Sequence, residues 1–260
     1  MEKSGSAFLE LGGEINFTAI ERRVYYMKKV LITGVSGGLG MSLAAEFISR
    51  NSFVYGYDID NNQQIKELQE KYPGQFEFYQ MDIRNDQSVE ETGKILKQKT
   101  DCLDIIVNAA AILPANSANV LEDFNISLSL DVFSTNALGP LRIIKDLLPL
   151  IKKGNDKVII NISSEAGSMT THCDYITRYD YCMSKAALNI QSIILQRYLK
   201  PEGIKVLVIH PGWIRTGMGG EEAPVLPSES AEGIVKLAEK CRNSSDKMMF
   251  YDYDGSTRAW

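Results

Sequence analysis

The chain has 260 residues, 44% hydrophobic and 23% charged, which is enough for one large α/β domain or two small ones around a sizeable core. A net charge of −5, with Lys and Arg scattered along the chain, argues against nucleic-acid and acidic-membrane partners and favours small molecules. No apolar run nears the ~20 residues of a membrane span. The four cysteines form no CxxC pair, and only His172 and His210 are available to join them, so the expectation is a cytoplasmic protein with reduced thiols and no metal.

Residues 1–26 mix charges, contain Gly12-Gly13 and show little periodicity, and they read as a poorly ordered N-terminal extension. Glu2, Glu10, Glu14 and Glu21 argue against a transit peptide, and Met27 offers an alternative start. Residues 27–260 alternate β-branched runs with amphipathic stretches. The runs are 29–33, 53–58, 76–81, 104–108, 157–163, 204–210 and 247–252. Near-continuous apolar runs separated by helical segments predict a Rossmann-type, doubly wound, seven-stranded parallel sheet with helices on both faces. No linker or repeat divides this stretch, so one domain is expected.

After the first run comes Gly34-Val35-Ser36-Gly37-Gly38-Leu39-Gly40, then a helical run from Met41 to Ile48. Such glycines let the backbone turn sharply and approach a pyrophosphate at a helix N-terminus. The spacing is G-x-x-x-G-x-G, and the Gly-Lys-Ser/Thr of a P-loop is absent. The second run ends at Asp58, twenty-four residues after Gly34, where dinucleotide folds place an acid against the adenosine ribose. A carboxylate there repels a 2′-phosphate and Ile59 follows instead of Arg, so NAD(H) is favoured over NADP(H); a helix-cap or turn role for Asp58 is the alternative. Asp82, ending the third run, has two readings: a bond to the adenine amino group, or a turn.

Within the helical stretch from about Leu128 to Lys152, Pro140 has no N–H to give the carbonyl of Asn136, which is thereby free to hold a water. Gly139-Pro140 also reads simply as a kink. Farther on, Tyr181 and Lys185 stand four apart on one helical face. A neighbouring ammonium favours the ionised form of a phenol, lowers its pKa from ~10 and suits it to general acid–base work. Alone, the spacing equally fits a solvated face or core edge.

Together, the glycine turn, Tyr181 and Lys185 resemble the short-chain dehydrogenase/reductase family in its single-domain form, from about Lys28 to Trp260. Asn108-Ala109-Ala110-Ala111 is similar to the family's Asn-Asn-Ala-Gly stretch, with only the first Asn matching. Ile162 to Gly167 is similar to the segment whose second serine, here Ser164, faces the substrate carbonyl. Ser163 would point oppositely if the strand reached that far. Pro211-Gly212-Trp213-Ile214-Arg215-Thr216 is similar to the Pro-Gly segment, and together with the C-terminal Asp252 to Trp260 it suggests the C-factor-like branch.

The resemblance implies an alcohol dehydrogenase or carbonyl reductase moving a hydride between nicotinamide and an alcohol or carbonyl substrate. Tyr181 would exchange the proton, Lys185 hold the nicotinamide ribose, Ser164 bond the carbonyl oxygen and Asn136 support a water relay. The cofactor would lie against Gly34, Ser36, Gly37, Gly38, Leu39 and Gly40, against Asp58, Asp82 and Ile83, and against Asn108, Ala109 and Ala110. Tyr181, Lys185, Pro211, Gly212, Ile214 and Thr216 would hold its nicotinamide end. A homodimer or homotetramer is implied as well. The rival reading is an NAD-binding regulatory protein with little turnover, and a third is an NADP-dependent carbonyl reductase.

The gap of seventeen positions between Ser164 and Tyr181 leaves an extra loop, Thr170 to Asp180, containing His172, Tyr175 and Tyr179. With Trp213 and Met218, these tyrosines read as an apolar pocket or as core. His210 reads as a strand-end residue, and Gly219 to Pro227 as a lid or an ordinary loop.

Overall fold

The computed structural model describes residues 26–170, 175–241 and 250–260. Among these residues eight strands form one sheet in the order β3-β2-β1-β4-β5-β6-β7-β8. They are β1 (Lys28–Thr33), β2 (Ser52–Asp58), β3 (Phe76–Gln80), β4 (Ile105–Asn108), β5 (Val158–Ile162), β6 (Lys205–His210), β7 (Phe250–Asp252) and β8 (Thr257–Arg258). The first seven run parallel and β8 pairs antiparallel with β7. This eighth strand departs from the expected seven. A turn closed by the Gly255 N–H on the Asp252 carbonyl (2.9 Å), with Gly255 at φ 90°, folds the chain back, and two residues are too few to show a strand period. The expected seventh run began at 247, but 247–249 lie outside the described residues, as do residues 1–25 of the N-terminal extension. Tyr26 belongs to the folded body, its hydroxyl donating to Asp104 at 2.8 Å.

Alternation along β1 makes the two-sided core. Val30 and Ile32 face a cluster with Leu43, Phe47, Val107 and Ile160, covered by α1 (Gly38–Ser49), α2 (Gln63–Lys71) and α7 (Pro227–Cys241). Leu31 faces the other cluster, with Ile106, Ile143, Leu147 and Ile159, covered by α3 (Asp86–Lys99), α5 (Gly139–Ile151) and α6 (Tyr179–Leu199). Each such side chain contributes roughly 1.5–3 kcal/mol on burial. Among the described residues no helix is long and apolar enough to cross a membrane.

The expected long helix of 128–152 is interrupted. A short helix α4 (Ser129–Phe133) passes through a π-helical turn, Ser134–Leu138, into α5. The Gly139 N–H bonds the carbonyl of Ser134, five residues back, one residue before the proline that cannot donate at all. β1 has β2 on one side and β4 on the other, so strand order reverses there. That reversal opens a crevice at the C-terminal ends of β1 and β4. Thr33 Oγ1 accepts the N–H groups of Ala109 and Ala110, both at 3.2 Å, and joins the two strand ends at that point.

Candidate active site

The crevice is a cleft of about 770 Å³. Its floor is the turn from β1 into α1. Gly34 sits at φ 81°, and a Cβ there would come within 2.8 Å of the Ala110 backbone; a Cβ on Gly38 would come within 2.7 Å of Thr216 Cγ2. On Gly40 it would collide with the Gly34 carbonyl oxygen. No side chain caps α1 and its first turn carries no acid, so the opening N–H groups face the cleft uncompensated, as a pyrophosphate requires. The residues present therefore fit a dinucleotide.

Asp58 Oδ2 accepts the Ser36 N–H at 2.8 Å, while Oδ1 accepts that of Ile59 at 2.7 Å. It is not the cap of α2. Asn62 takes that place, accepting the Ile65 N–H at 3.0 Å, and its amide also donates to the Ser36 carbonyl at 3.2 Å. Asn62 thus ties α2 to the glycine turn, a role that its cap signature alone does not reveal. Asp82 is gripped by Arg84, Nη2 to Oδ2 at 2.8 Å and Nε to Oδ1 at 3.0 Å, and the guanidinium holds that carboxyl below its usual range. Both acids line the cleft, as does Ile83.

Ser164, Tyr181 and Lys185 line the same cleft, with Pro211, Gly212, Ile214 and Thr216. Ser164 Oγ accepts the Ala166 N–H at 3.2 Å. The Ser163 hydroxyl points away into a 2.6 Å bond with Asn189. Lys185 Nζ donates to the Ile162 carbonyl at 2.9 Å and lies 5.7 Å from the centre of the Tyr181 ring.

Their electrostatics correct the expectation of a lowered phenol. Burial pushes Tyr181 up to about 12, opposed by a hydrogen bond with Ser164, and burial alone pulls Lys185 down to about 8. In a site this enclosed, the loss of water around both charged forms outweighs the attraction between phenolate and ammonium.

Two asparagines expected at the site lie behind it. Asn136 is fully buried: its Oδ1 accepts the Ile112 N–H at 2.8 Å, and its Nδ2 donates to the Ile112 carbonyl at 3.0 Å and to Ser184 Oγ at 3.1 Å. Ser184 in turn donates to the Tyr181 carbonyl at 2.7 Å. The Asn136 side chain therefore positions the helix turn that carries Tyr181. Asn108 is a correction, since its side chain does not line the cleft. Its register opposite Asn161 turns it inward, where Nδ2 donates to Asn161 Oδ1 at 2.7 Å.

In the loop before α6, residues 171–174, including His172, lie outside the described residues. Tyr175 lines the cleft and donates to Glu165 Oε1 at 3.3 Å, whereas Tyr179 packs edge-on against Phe124 at 5.4 Å. Trp213 and Met218 line the cleft. The His210 ring accepts the Glu165 N–H at Nδ1, 3.2 Å away, in keeping with a strand-end role. Part of the 219–227 segment is paired back on the Pro-Gly segment, with the Val225 N–H on the Trp213 carbonyl at 3.2 Å and that of Arg215 on the Val225 carbonyl at 2.9 Å. Arg178 also lines the cleft, and no local sequence signal marks it.

The profile of the short chain dehydrogenases matches residues 28–227. C-signal of Myxococcus xanthus is 32% identical over 161 residues, covering 62% of this chain and 95% of that protein. An uncharacterized oxidoreductase of Schizosaccharomyces pombe is 28% identical over 251 residues, covering 88% of this chain and 97% of the other. Among solved structures, carbonyl reductase Sniffer of D. melanogaster superposes with a TM-score of 0.81 at 29% identity, covering 90% of this chain and all (100%) of that one. The NADPH-bound carbonyl reductase from chicken fatty liver gives 0.80 at 27% identity, covering 90% and 99%.

Proposed function

Because this chain belongs to the short-chain dehydrogenase family, we propose that it interconverts an alcohol and a carbonyl compound with Tyr181 as the proton donor and acceptor, within a single domain over residues 27–260. Its class is a hydride-transfer oxidoreductase acting on a small molecule with a nicotinamide cofactor. When bound, that cofactor supplies the hydride.

The observation that carries the reading is that Tyr181, Ser164 and Lys185 line the same cleft as the glycine turn. With its pKa raised to about 12, the phenol keeps its proton at neutral pH and has it to give as a carbonyl oxygen gains charge. Ser164 already accepts a backbone N–H and shares a hydrogen bond with Tyr181, so its hydroxyl stands beside the phenol where that oxygen would lie. Lys185 supplies positive charge beneath the ring, and the Asn136 side chain holds the Tyr181 turn in place.

For the dinucleotide, the proposal is NAD(H). The Asp58 carboxylate stands at the glycine turn, Ile59 follows it, and the nearby Arg84 is engaged by Asp82. Against it, some structural neighbours were solved with NADP or NADPH, the chicken enzyme among them. The test of the chemistry is Tyr181→Phe, which removes one oxygen and keeps the ring. Turnover of an aldehyde or ketone should fall by about 10²–10⁴-fold, with dinucleotide affinity within threefold of wild type. A variant that turns over as fast as wild type removes Tyr181 from the chemistry.

A further inference from the structure

We propose that Arg178 is the specificity residue of this cleft and that the substrate is a carbonyl compound carrying a carboxylate, which the guanidinium grips while the carbonyl lies at Tyr181 and Ser164. The inference rests on the reading above and names the substrate class for it.

Arg178 stands three residues before Tyr181, immediately ahead of α6, and lines the same cleft. Its backbone is fixed in the left-handed region at φ 63° and ψ 34°, where a non-glycine residue is uncommon. Two hydrogen bonds hold it there. Its N–H donates to the Ser117 carbonyl at 2.6 Å, and its carbonyl accepts the Cys182 N–H at 2.9 Å. The guanidinium lies over the Tyr175 ring, 5.2 Å from its centre, a flat platform that orients the fork and leaves its edge N–H groups available.

Among the described residues no carboxylate pairs with Arg178. Glu165, a carboxylate of the cleft wall, is engaged by Arg258 Nη1 at 3.6 Å, with His210 Nε2 at 3.9 Å and the Tyr175 hydroxyl at 3.3 Å. The charge of Arg178 reaches the Tyr175 and Tyr181 phenols, opposing the rise that burial imposes on each. A planar cation held beside the reacting position, with an aromatic ring on one side and no counter-ion among the described residues, is suited to a carboxylate on the substrate.

The probes are 4-formylbenzoate and its methyl ester, which share the aldehyde and differ in charge. Wild type should reduce the acid with the higher kcat/KM. In Arg178→Asn, a residue that accepts the left-handed backbone, the acid-to-ester ratio of kcat/KM should drop by about 10- to 100-fold. Arg178→Lys should restore part of that ratio. An acid-to-ester ratio at or below one in wild type, or one unchanged in the Asn variant, overturns the proposal. Should neither aldehyde be reduced, the hydride-transfer reading fails for this substrate pair. Calorimetric titration of both compounds into the enzyme saturated with NADH then decides the anion site by itself. Tighter binding of the acid, lost in Arg178→Asn, upholds it, and equal binding of acid and ester overturns it.

Discussion

Lys185→Met probes the energetic tension at the centre of the site. The Lys185 ammonium is buried and its pKa falls from the usual 10.5 to about 8 because water is excluded. The gap of roughly 2.5 pH units, at ~1.4 kcal/mol each, makes the charged form cost the native state about 3 kcal/mol. The sign follows from proton counting. Below pH 8 both native and unfolded chains hold the proton and the whole penalty is present. Between about 8 and 10.5 only the unfolded chain holds it, so wild-type stability gains as pH rises through that window. Methionine keeps the unbranched stem without the charge, but it leaves the Ile162 carbonyl without its 2.9 Å donor, a loss of about 1–3 kcal/mol that does not depend on pH. The observable is therefore the difference between the two proteins and how it changes with pH. Urea unfolding at pH 7, 8, 9 and 10 should show wild type gaining about 2–3 kcal/mol on the variant across the series. Parallel stability profiles would refute a buried, destabilised ammonium.

Three further variants test other parts of the site and surface. Asp58→Asn keeps an acceptor for the Ser36 N–H and removes the charge, so the kcat/KM ratio of NADH over NADPH should fall by about 10- to 100-fold; an unchanged ratio, or a wild type that already prefers NADPH, ends the NAD assignment. Pro140→Ala restores an N–H just after the π turn that carries Asn136, and we expect turnover to drop by about tenfold with dinucleotide affinity held. Unchanged turnover would dismiss the water relay. Ile190, Ile194 and Tyr198 recur every four residues on α6 and are 56%, 59% and 68% exposed, an apolar stripe suited to the homodimer or homotetramer that the family resemblance implies. Sedimentation should show an oligomer that dissociates in the double variant Ile190→Glu, Ile194→Glu, and a wild type that sediments as a monomer ends that assembly reading.

The parallel strands are legible because interior strands covered on both faces carry near-continuous apolar runs, as 105–107 and 158–160 do. Lys157, which the sequence places in the fifth strand, stands just outside it at φ 54°, a backbone state that its residue type does not announce. Pro140 signalled a missing donor, yet not that the chain would answer with a π turn across 134–138. Asn108 shows the limit of motif likeness: its position in the chain suggested a cofactor contact, while the pairing of β4 with β5 turned its amide toward Asn161. The direction of the Tyr181 shift is not legible in the sequence, because four-residue spacing reports proximity and says nothing of burial. Arg178 was invisible for a similar reason. Its place in the cleft depends on a left-handed entry into α6 and a bond to Ser117, sixty-one residues earlier in the chain.

The buried polar side chains explain how these parts are held to the tolerance that proton transfer needs. One chain runs from Ile112 through Asn136 and Ser184 to the Tyr181 carbonyl. A second runs from Asn108 through Asn161 and Ser192 to the Leu188 carbonyl, about two turns farther along α6. Each link adds only about 0.5–1.5 kcal/mol net, but breaking one strands a buried polar atom at about 1–3 kcal/mol. That asymmetry makes the register of α6 against β4 and β5 costly to shift by even one residue. Apolar packing of α6 alone would tolerate sliding, since its contacts are not directional. The amides convert a well-packed helix into one with a single allowed position, and Tyr181 and Lys185 inherit that position.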